Sequence, residues 1–353
     1  MMRILAAMAA AAALLAGHAF AADTTKIVVP YAPAGTADLM ARLIAPHLQE
    51  RLGDNVVVEN RAGGSGVLGN EQVARAPPDG KTLLLANMAS HVLGPALHPP
   101  RAYDQDKAFE PLVMIGSVPL LLAIRPDIPA GNLKELIAWA KTAPKLAYGS
   151  AGAGTAMHIA GEMFNQAGGL KAMHVPYRGA APVITAVLGG HLDFMIADVT
   201  ILLPQVQSGK LRAIALYAPA RSPLVSNVPT AKEAGFPALT MENWYGVFAP
   251  AGLPGDVAAT LEKALLEILA LPDVKKQLDA AGMEGARGRV GFKTVLANDF
   301  AYWGPAIKKY RSTAETTGSL RNRGSKNAKE DGPGQRQPKN PKKDPRKIQE
   351  TPK

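Results

Sequence analysis

Cysteine is absent from this 353-residue chain, and aromatic residues make up only 5% of it. A chain without thiols forms no disulfide bond and offers neither a cysteine nucleophile nor a cysteine zinc ligand. Hydrophobic residues account for 47% of the sequence and charged residues for 19%. This length and composition predict a globular protein with one large core or two modest ones, and two domains are the default expectation.

Long apolar runs are also missing, with one exception at the N-terminus. The sequence begins MMRILAAMAAAAALLAGHAFAAD, in which one arginine precedes an apolar run and Ala19-Phe20-Ala21 follows it. This order is typical of a secretory signal peptide with a small-x-small cleavage site. We therefore predict a signal peptide over residues 1–21, cleavage after Ala21, and a soluble mature protein in the periplasm. A membrane anchor or a buried helix is the alternative, which the short run and the lack of a stop-transfer flank disfavour.

Most of the chain has little net charge, although the formal net charge of the whole chain is +10. Residues 311–353 carry 12 Lys and Arg against 5 Asp and Glu, so the rest of the chain is close to neutral. These last residues have almost no large apolar side chains and are rich in Lys, Pro, Gly and Asn, which predicts a disordered basic tail. We predict no nucleic-acid partner, because the folded part lacks a basic excess and a nucleic-acid role for the tail conflicts with export.

Nucleotide-binding motifs are incomplete. Gly80-Lys81-Thr82 matches the end of a Walker A loop, but Arg75 stands where its first glycine belongs. Gly152-Ala153-Gly154 begins like a dinucleotide fingerprint, but Met157 stands at the third glycine position. The sequence therefore predicts neither of these phosphate-binding loops.

Catalytic motifs are missing as well. A nucleophile elbow would need glycine at Val67, and H-E-x-x-H does not occur among the seven histidines. Asp38 and Asp198 have no obvious acid/base partner. Asp38 is interpreted as a residue in the first turn of a helix, where the helix dipole favours a carboxylate. The nearest nucleophile and base are Ser150 and His158, which keep an exported hydrolase as an alternative.

Short β-branched runs alternate with helix-patterned segments through most of the chain. KIVVPY, NVVVEN and TLLLAN predict strands, and the helix over residues 37–51 is predicted to bury Leu39, Leu43, Ile44 and Leu48. Asn132 and Glu135 form a capping box that predicts the start of another helix. PLVMIGSVPLLLAIRPD predicts two short strands or one bent strand. The alternation as a whole predicts layered α/β domains.

Three strand-loop-helix units place a glycine-rich loop at the start of a helix, over residues 33–36, 149–155 and 177–180. Backbone N–H groups of such a loop and the positive end of the helix attract a small anion. One loop lies in the first unit and two in the second, so a cleft between the units receives N–H groups from both sides. With export and no catalytic constellation, this favours a solute receptor for small anions, especially carboxylates.

Several longer motifs resemble one family closely. They include IVVPYAPAGTADLMARLIAPHL, YGSAGAGTAMHIAGEMF, VPYRGAAPVITAVLGGHLDFMIAD and GKLRAIALYAPARSPLVSNVPTAKEAGFP. From Lys26 to Ile307 the chain resembles the substrate-binding receptors of tripartite tricarboxylate transporters, the Bug or TctC-type periplasmic proteins. The resemblance implies a type II periplasmic-binding-protein fold, with two α/β domains and a ligand cleft between them. The first domain would comprise residues 23–123 and 242–310, and the second residues 124–241.

The resemblance also implies a function. Members bind small carboxylates such as di- and tricarboxylates, aromatic acids and acidic amino acids, and deliver them to a membrane transporter of one large and one small subunit. We therefore expect a monomeric receptor that has no cofactor or metal and is not an enzyme. A sensor that hands its closed form to a signalling partner is the alternative.

Carried over position by position, the resemblance assigns ligand-binding roles to residues of the three loops and of two strand ends. The ligand carboxylate would be held largely by backbone N–H groups, hydroxyls and ordered waters. These residues are Tyr31, Ala32, Pro33, Gly35, Asp38, Asn87, Ser90, Ser150, Gly152, Thr155, His158, Tyr177, Gly179, Ala180 and Asp198.

Two features depart from the family pattern. The family commonly has Gly-Gly in the first loop, where this chain has Ala34 before Gly35, and the added methyl predicts an altered pocket size or an ordinary negative φ at Ala34. The basic tail is interpreted as either an adaptation or a reading-frame accident. No arginine is clearly placed for a second ligand carboxylate, and Arg178 is interpreted as an exposed rim residue.

Overall fold

The computed structural model describes residues 23–97, 103–105 and 107–310. The predicted signal peptide with its cleavage site and the predicted disorder of residues 311–353 lie outside these ranges. Within them, no helix is both long enough and apolar enough to cross a membrane.

Strands and helices alternate along the described residues. The strands are β1 (Thr24–Val29), β2 (Asn55–Asn60), β3 (Thr82–Asn87), β4 (Phe109–Ile124), β5 (Ala147–Ser150), β6 (Met173–Pro176), β7 (Phe194–Asp198), β8 (Arg212–Tyr217), β9 (Glu242–Pro250) and β10 (Arg287–Gly288). The α-helices are α1 (Thr36–Leu52), α2 (Val67–Ala74), α3 (Gly94–Leu97), α4 (Leu133–Thr142), α5 (Ala156–Gly168), α6 (Ala180–Leu188), α7 (Val199–Gln207), α8 (Gly255–Leu269), α9 (Pro272–Ala280) and α10 (Arg289–Ala306). A short π-helix covers Ala89–Leu93, and 3₁₀ turns cover Gly64–Gly66, Pro223–Val225 and Ile307–Tyr310.

The strands form one mixed sheet in the order β2-β1-β3-β9-β4-β7-β5-β6, with β8 and β10 also paired to β4. β1 is parallel to β2 and β3, and β5 is parallel to β6 and β7. β4 and β9 run antiparallel to their neighbours. Because parallel strands end at the same edge of a sheet, the loops after β1 and β3 meet at one edge, as do those after β5 and β7.

β4 passes from one half of the sheet into the other. Residues 109–119 pair with β9, whereas residues 120–124 pair with β7 and β8. Register shifts between Pro111 and Val113 and between Met114 and Gly116 bend the strand. Of the two sequence-based alternatives for this segment, one bent strand is therefore correct.

Two hydrophobic clusters lie on either side of this crossing. The first is built from residues within 27–118 and 245–283, and the second from residues within 121–225. Each cluster is a core of its own, packed between its half of the sheet and the adjacent helices. The boundaries at residues 123 and 242 stay a prediction.

Helix starts and buried faces follow the sequence pattern with one exception. The Asn132 side chain accepts a hydrogen bond from the Glu135 N–H at 3.0 Å, which confirms the predicted cap of α4. The predicted face of α1 is partly wrong, because Leu39 is 43% exposed. The buried stripe instead contains Met40, Ile44 and Leu48, which repeat at four-residue spacing and share one side of the helix.

β9, α7 and α9 were not predicted from the sequence, and neither were the short elements α3 and β10. Eight of the nine residues of β9 are buried, so the strand shows no alternation of polar and apolar residues. α7 follows β7 without an intervening loop and contains Pro204. Both features make the helix hard to recognise from the sequence, because no turn residues mark its start and proline usually ends a helix.

Candidate ligand-binding cleft

A cleft opens at the carboxyl ends of β1, β3, β5 and β7. Its empty space, including the part open to solvent, is about 500 Å³. Small and apolar side chains form much of the wall. The lining residues are Tyr31, Ala32, Gly35, Thr36, Ala37, Asn87, Ala89, Ala151, Thr155, Ala156, Met157, Gly179, Ala180, Asp198, Ile201, Asn243 and Tyr245.

Three α-helices begin at the wall of the cleft. α1 contributes Thr36 and Ala37, α5 contributes Ala156 and Met157, and α6 contributes Ala180. The first N–H groups of a helix have no partner inside the helix and carry partial positive charge. Among the described residues, no Lys or Arg lines the cleft, and no group of three His, Asp or Glu side chains is placed to hold a metal ion. The partial positive charge at this wall therefore comes from the helix N-termini.

Asp38, in the first turn of α1, holds the loop before that helix. Its Oδ2 accepts hydrogen bonds from the Ala34 N–H at 2.9 Å and from Arg42 Nε at 3.0 Å, and its Oδ1 accepts from Asn60 Nδ2 at 2.9 Å. Burial alone would raise the pKa of Asp38, but the hydrogen bonds from Arg42, Ala34 and Asn60 outweigh it and lower the pKa below its ordinary value. Asp38 therefore stays an anion and positions the loop without lining the cleft.

His158 holds the loop before α5 in the same way. Its Nδ1 accepts a hydrogen bond from the Gly154 N–H at 3.0 Å, so the neutral ring carries its proton on Nε2. Thr155 caps the helix, because its Oγ1 accepts from the His158 N–H at 3.4 Å and donates to the Gly152 carbonyl at 2.8 Å. His158 is fully buried and does not line the cleft.

Ser150 contacts a histidine that the sequence patterns did not indicate. Its Oγ lies 2.6 Å from His174 Nε2 and donates to the Gly152 carbonyl at 3.0 Å. Because the hydroxyl proton is used, Nε2 of His174 is the donor to Ser150, and its unprotonated Nδ1 has no hydrogen-bond partner among the described residues. Burial lowers the pKa of His174 to about 4, so the ring is neutral at pH 7.

This pair lacks the arrangement that activates a nucleophile. Ser150 is fully buried, its proton goes to a carbonyl, and no carboxylate orients the His174 ring. A base with a pKa near 4 also removes a proton poorly at neutral pH. The hydroxyl that the hydrolase alternative requires is thus engaged in holding the loop.

Hydrogen-bond acceptors gather where β7 and β9 border the cleft. Asp198 Oδ1 accepts from Asn243 Nδ2 at 3.1 Å, and Asp198 Oδ2 accepts a short hydrogen bond from the Tyr245 hydroxyl. Asn243 Nδ2 also donates to the Tyr245 oxygen at 2.9 Å. Burial raises the pKa of Asp198 above its ordinary value, although the neighbouring hydroxyls of Tyr245 and Thr36 and the Asn243 amide oppose this rise.

Asn87, at the end of β3, links two parts of the cleft wall. Its Oδ1 accepts from the Tyr31 hydroxyl and from the Ser90 N–H, both at 3.0 Å. Ser90 Oγ accepts in turn from the Asn87 N–H at 3.3 Å. Burial raises the pKa of Tyr31 far above its ordinary value, so this hydroxyl is a neutral donor. Tyr31 and Asn87 line the cleft, whereas Ser90 supports Asn87 from inside the protein.

Direct contacts join the loops across the cleft. Ser65, in the 3₁₀ turn before α2, donates from Oγ to the Ala153 carbonyl at 2.5 Å. Gly152 has a φ of +134°, and a Cβ at this position would lie 2.8 Å from Ser65 Oγ, so the close approach requires glycine. A Cβ at Gly179 would lie 3.0 Å from Cβ of Ala32. The first loop is therefore in contact with the later loops around the cavity.

The structure places eight of the predicted ligand residues at the cleft and seven elsewhere. Those lining it are Tyr31, Ala32, Gly35, Asn87, Thr155, Gly179, Ala180 and Asp198. Those outside the lining are Pro33, Asp38, Ser90, Ser150, Gly152, His158 and Tyr177. Several of the second group make hydrogen bonds that hold the loops whose backbone forms the wall. The ligand-binding roles themselves stay a prediction.

The expectations for Ala34 are wrong. Its φ is +66°, in the left-handed region, and its side chain is exposed and outside the cleft lining. The left-handed conformation costs about 1 kcal/mol in an alanine, and it is held because the Ala34 N–H donates to buried Asp38. Arg178 is exposed and does not line the cleft, as expected for a rim residue.

Nine lining residues were missed. Thr36, Ala37, Ala89, Ala151, Ala156, Met157 and Ile201 are neighbours of predicted positions or of strand ends, whereas Asn243 and Tyr245 belong to the unpredicted strand β9. A usable signal was present, because residues two apart on a strand point to the same face. The polar pair at 243 and 245, with apolar Trp244 between its members, is the pattern that could have identified them.

A cleft at which several helices begin, at the meeting of two halves of an α/β sheet, is typical of a solute-binding protein of the two-domain type. The model of one family, the tripartite tricarboxylate transporter family receptor, matches residues 40–311 of the chain. The chain belongs to this family. Protein BugT of Bordetella pertussis is 34% identical to it over 309 residues, which cover 86% of this chain and 94% of BugT.

Solved structures superpose on most of the chain. The periplasmic binding protein BugD does so with a TM-score of 0.77 and 32% identity, covering 81% of this chain and 97% of BugD. MatC from Rhodopseudomonas palustris with bound malate has a TM-score of 0.76 and 31% identity, and the match covers 81% of this chain and 99% of MatC. Rpa4515 from R. palustris with adipate has a TM-score of 0.76 and 28% identity, and the match covers 84% of this chain and 97% of Rpa4515. The family and the two-domain periplasmic-binding-protein fold are thereby confirmed.

Proposed function

We propose that this chain is a periplasmic receptor that binds a small carboxylate and delivers it to the large and small membrane subunits of a tripartite tricarboxylate transporter. The start of three helices at the wall of one cleft, with no lining Lys or Arg among the described residues, carries this proposal. Such a wall binds an anion through N–H groups and releases it without chemical change. Malate in MatC and adipate in Rpa4515 support a carboxylate as the ligand class.

The proposal includes the absence of catalysis by this chain. Ser150 and His174 form the contact closest to a nucleophile and a base, and their burial and hydrogen bonds suit a structural role. We therefore expect the protein to return any bound acid unchanged after prolonged incubation, as judged by mass spectrometry of the recovered ligand.

The proposal also covers maturation and assembly. Residues 1–21 would be removed after Ala21 on export, and the mature chain would be a monomer with the domains 23–123 with 242–310, and 124–241. N-terminal sequencing of the exported protein would test the cleavage site, and light scattering would test the monomer.

Binding is tested with the mature chain from Ala22 and a panel of mono-, di- and tricarboxylates, aromatic acids and acidic amino acids. At a ligand concentration of one hundred times Kd, a ligand that binds only the folded state stabilises it by about 2.7 kcal/mol, which is a clear thermal shift. Trp244 lies between the lining residues Asn243 and Tyr245 and is buried, so its fluorescence provides an independent readout. A panel with neither a thermal shift nor a fluorescence change would overturn the proposal.

A further inference from the structure

The acceptor residues Asp198, Asn243 and Tyr245 are not explained by the binding of a carboxylate alone. All three line the cleft and are buried, with 6%, 3% and 3% of their surfaces exposed. A carboxyl group in the wall repels a bound carboxylate when both are ionised, and no lining Lys or Arg among the described residues offsets this repulsion. A hydrogen-bond donor on the ligand, close to its carboxylate, would account for this feature.

The donors in this cluster are already used. Asn243 Nδ2 donates to Asp198 Oδ1 at 3.1 Å and to the Tyr245 oxygen at 2.9 Å, and the Tyr245 proton goes to Asp198 Oδ2. Reversing the Asn243 amide would aim its oxygen at the Asp198 carboxyl group, so the network fixes the orientation. Asn243 Oδ1 is then left buried with no hydrogen-bond partner. What the cluster still offers to a ligand is acceptor capacity.

Thr36 connects this cluster to one of the helix N-termini at the wall of the cleft. It is the first residue of α1, it lines the cleft, and it is 3% exposed. Its hydroxyl lies beside Asp198 but has no well-aligned hydrogen-bond partner among the described residues. The acceptors therefore adjoin the helix N-terminus at which a carboxylate is proposed to bind.

We infer that Asp198 and Asn243 select a carboxylate that also carries a hydrogen-bond donor, a hydroxyl or an ammonium group, close to its carboxylate. The inference rests on the proposed function and narrows its ligand class. A ligand without the donor leaves buried acceptors unpaired, which disfavours its binding strongly. Family membership does not make this choice, because malate in MatC has a hydroxyl group and adipate in Rpa4515 has none.

Matched acids test the inference in the wild-type chain. Succinate is compared with malate and aspartate, and propionate with lactate and alanine, because each set differs only at the carbon beside a carboxylate. For a set that binds, titration calorimetry at pH 7 is expected to give a Kd for the donor-bearing acids at least about 10-fold lower than that of succinate or propionate. Equal Kd values, within about 2-fold, for the acids of every set that binds would overturn the inference.

A variant then assigns the preference to Asp198. D198N keeps the size of the side chain but replaces a charged acceptor with an amide, so the ratio of Kd values within a set should fall to about 3-fold or less. D127N removes an exposed carboxylate that pairs with Arg125 at 2.5 Å, outside the cleft lining, and should keep the wild-type ratio. A D198N protein that binds with the wild-type ratio would contradict the role given to Asp198. If D198N does not fold, the comparison of acids in the wild type still decides the inference.

The failure of this inference is distinguishable from the failure of the proposed function. If acids bind without regard to the donor, the receptor proposal stands and the selection of a donor falls. If no acid of the wider carboxylate panel binds, the receptor proposal falls and the inference falls with it.

Discussion

The loop between β1 and α1 and the loop between β5 and α5 each bring a helix N-terminus to the cleft. In the first, the Ala34 N–H donates to Asp38 at 2.9 Å, and in the second the Gly154 N–H donates to His158 at 3.0 Å. Asp38 and His158 are each the third residue of their helix. In both loops, the side chain of the third helix residue therefore accepts a hydrogen bond from the N–H four residues before it. The acceptor is a carboxylate in the first loop and an imidazole in the second.

The surroundings of the two side chains explain the different chemistry. Asp38 has a partner in Arg42, whose side chain is 53% exposed, so an ionised group is tolerated there. His158 is fully buried, and its ring stacks on that of His174 with centroids 4.1 Å apart. A neutral acceptor suits this site because an unpaired charge would be costly to bury. Residues whose chemistry suggests ligand binding can thus act indirectly, by holding the loop that lines the cleft.

The largest expected effect comes from the sixth residue of each helix, which is Ala41 in α1 and Gly161 in α5. A Cβ at Gly161 would lie 2.1 Å from the ring of Tyr148, which is fully buried. We expect G161A to lower the free energy of unfolding by more than about 3 kcal/mol through overpacking. A41G, at the matched position, should cost about 2 kcal/mol, from helix propensity and from the loss of one buried methyl group. Urea denaturation of the two variants measures this difference, and equal costs would mean that Tyr148 moves aside freely.

A nearly equal effect is expected from acidification of the β5–α5 region. Burial lowers the pKa of His174 from 6.5 to about 4, so protons bind the unfolded chain more readily than the folded one. The stability that the neutral ring provides is complete above about pH 6.5 and is lost as the pH falls towards about 4, for a total of about 3 kcal/mol. Tyr148 and His158 stack on the ring at centroid distances of 5.1 and 4.1 Å, and the Tyr148 hydroxyl donates to Glu162 at 2.6 Å.

H174Q tests this expectation, because its amide can still donate to Ser150 and does not titrate. Unfolding free energies of the wild type and of H174Q are measured at pH 7 and pH 4, and the wild type should lose about 3 kcal/mol more than the variant. H47Q, which changes a partly exposed histidine 3.6 Å from Asp273, serves as the control. Parallel pH profiles for H174Q and the wild type would contradict the assignment to His174.

An intermediate effect is expected at Asp38. D38A leaves the Ala34 N–H and the Asn60 amide without their acceptor, which should cost about 2 kcal/mol of unfolding free energy at pH 7. D38N should cost about half as much, because it still offers an oxygen to the Ala34 N–H. The folded-state pKa of Asp38 is lowered, so its contribution is present above the unfolded pKa of about 4 and disappears as the pH falls through the lower folded value. Chemical denaturation at pH 7 and pH 3 measures both. A D38A protein of unchanged stability that no longer binds any acid would instead place Asp38 at the ligand.

The smallest expected effect concerns the contact of the β5–α5 loop with the 3₁₀ turn before α2. S65A removes the hydrogen bond to the Ala153 carbonyl, which has a length of 2.5 Å. We expect the Kd of a bound acid to rise about 5-fold, the equivalent of about 1 kcal/mol, with little change in the stability of the unliganded protein. S226A, at an exposed residue far along the chain, is the control. An unchanged Kd for S65A would show that the contact does not contribute to the liganded state.

Local structure was predictable where one residue or a short pattern decides it. Asn132 and Glu135 marked the start of α4, and short apolar runs, β-branched in β1 and β2, marked β1, β2 and β3. On α5, the apolar residues Met157, Ala160, Met163 and Phe164 recur at helical spacing and are all buried. β9 escaped prediction because a strand covered on both faces carries no alternating pattern, and two cleft residues were missed with it.

The sequence by itself determined the α/β class, the three glycine loops at helix starts and the absence of cysteine chemistry, because these depend on residue type and on spacing along the chain. The tertiary structure decided which polar side chains face the cleft. It turned Asp38 and His158 inward to hold the loops, engaged Ser150 with His174, and gathered Asp198, Asn243 and Tyr245 from two strands. The partner of a buried polar group depends on which segments pack together, and Asp198 and Tyr245, for example, lie 47 residues apart along the chain.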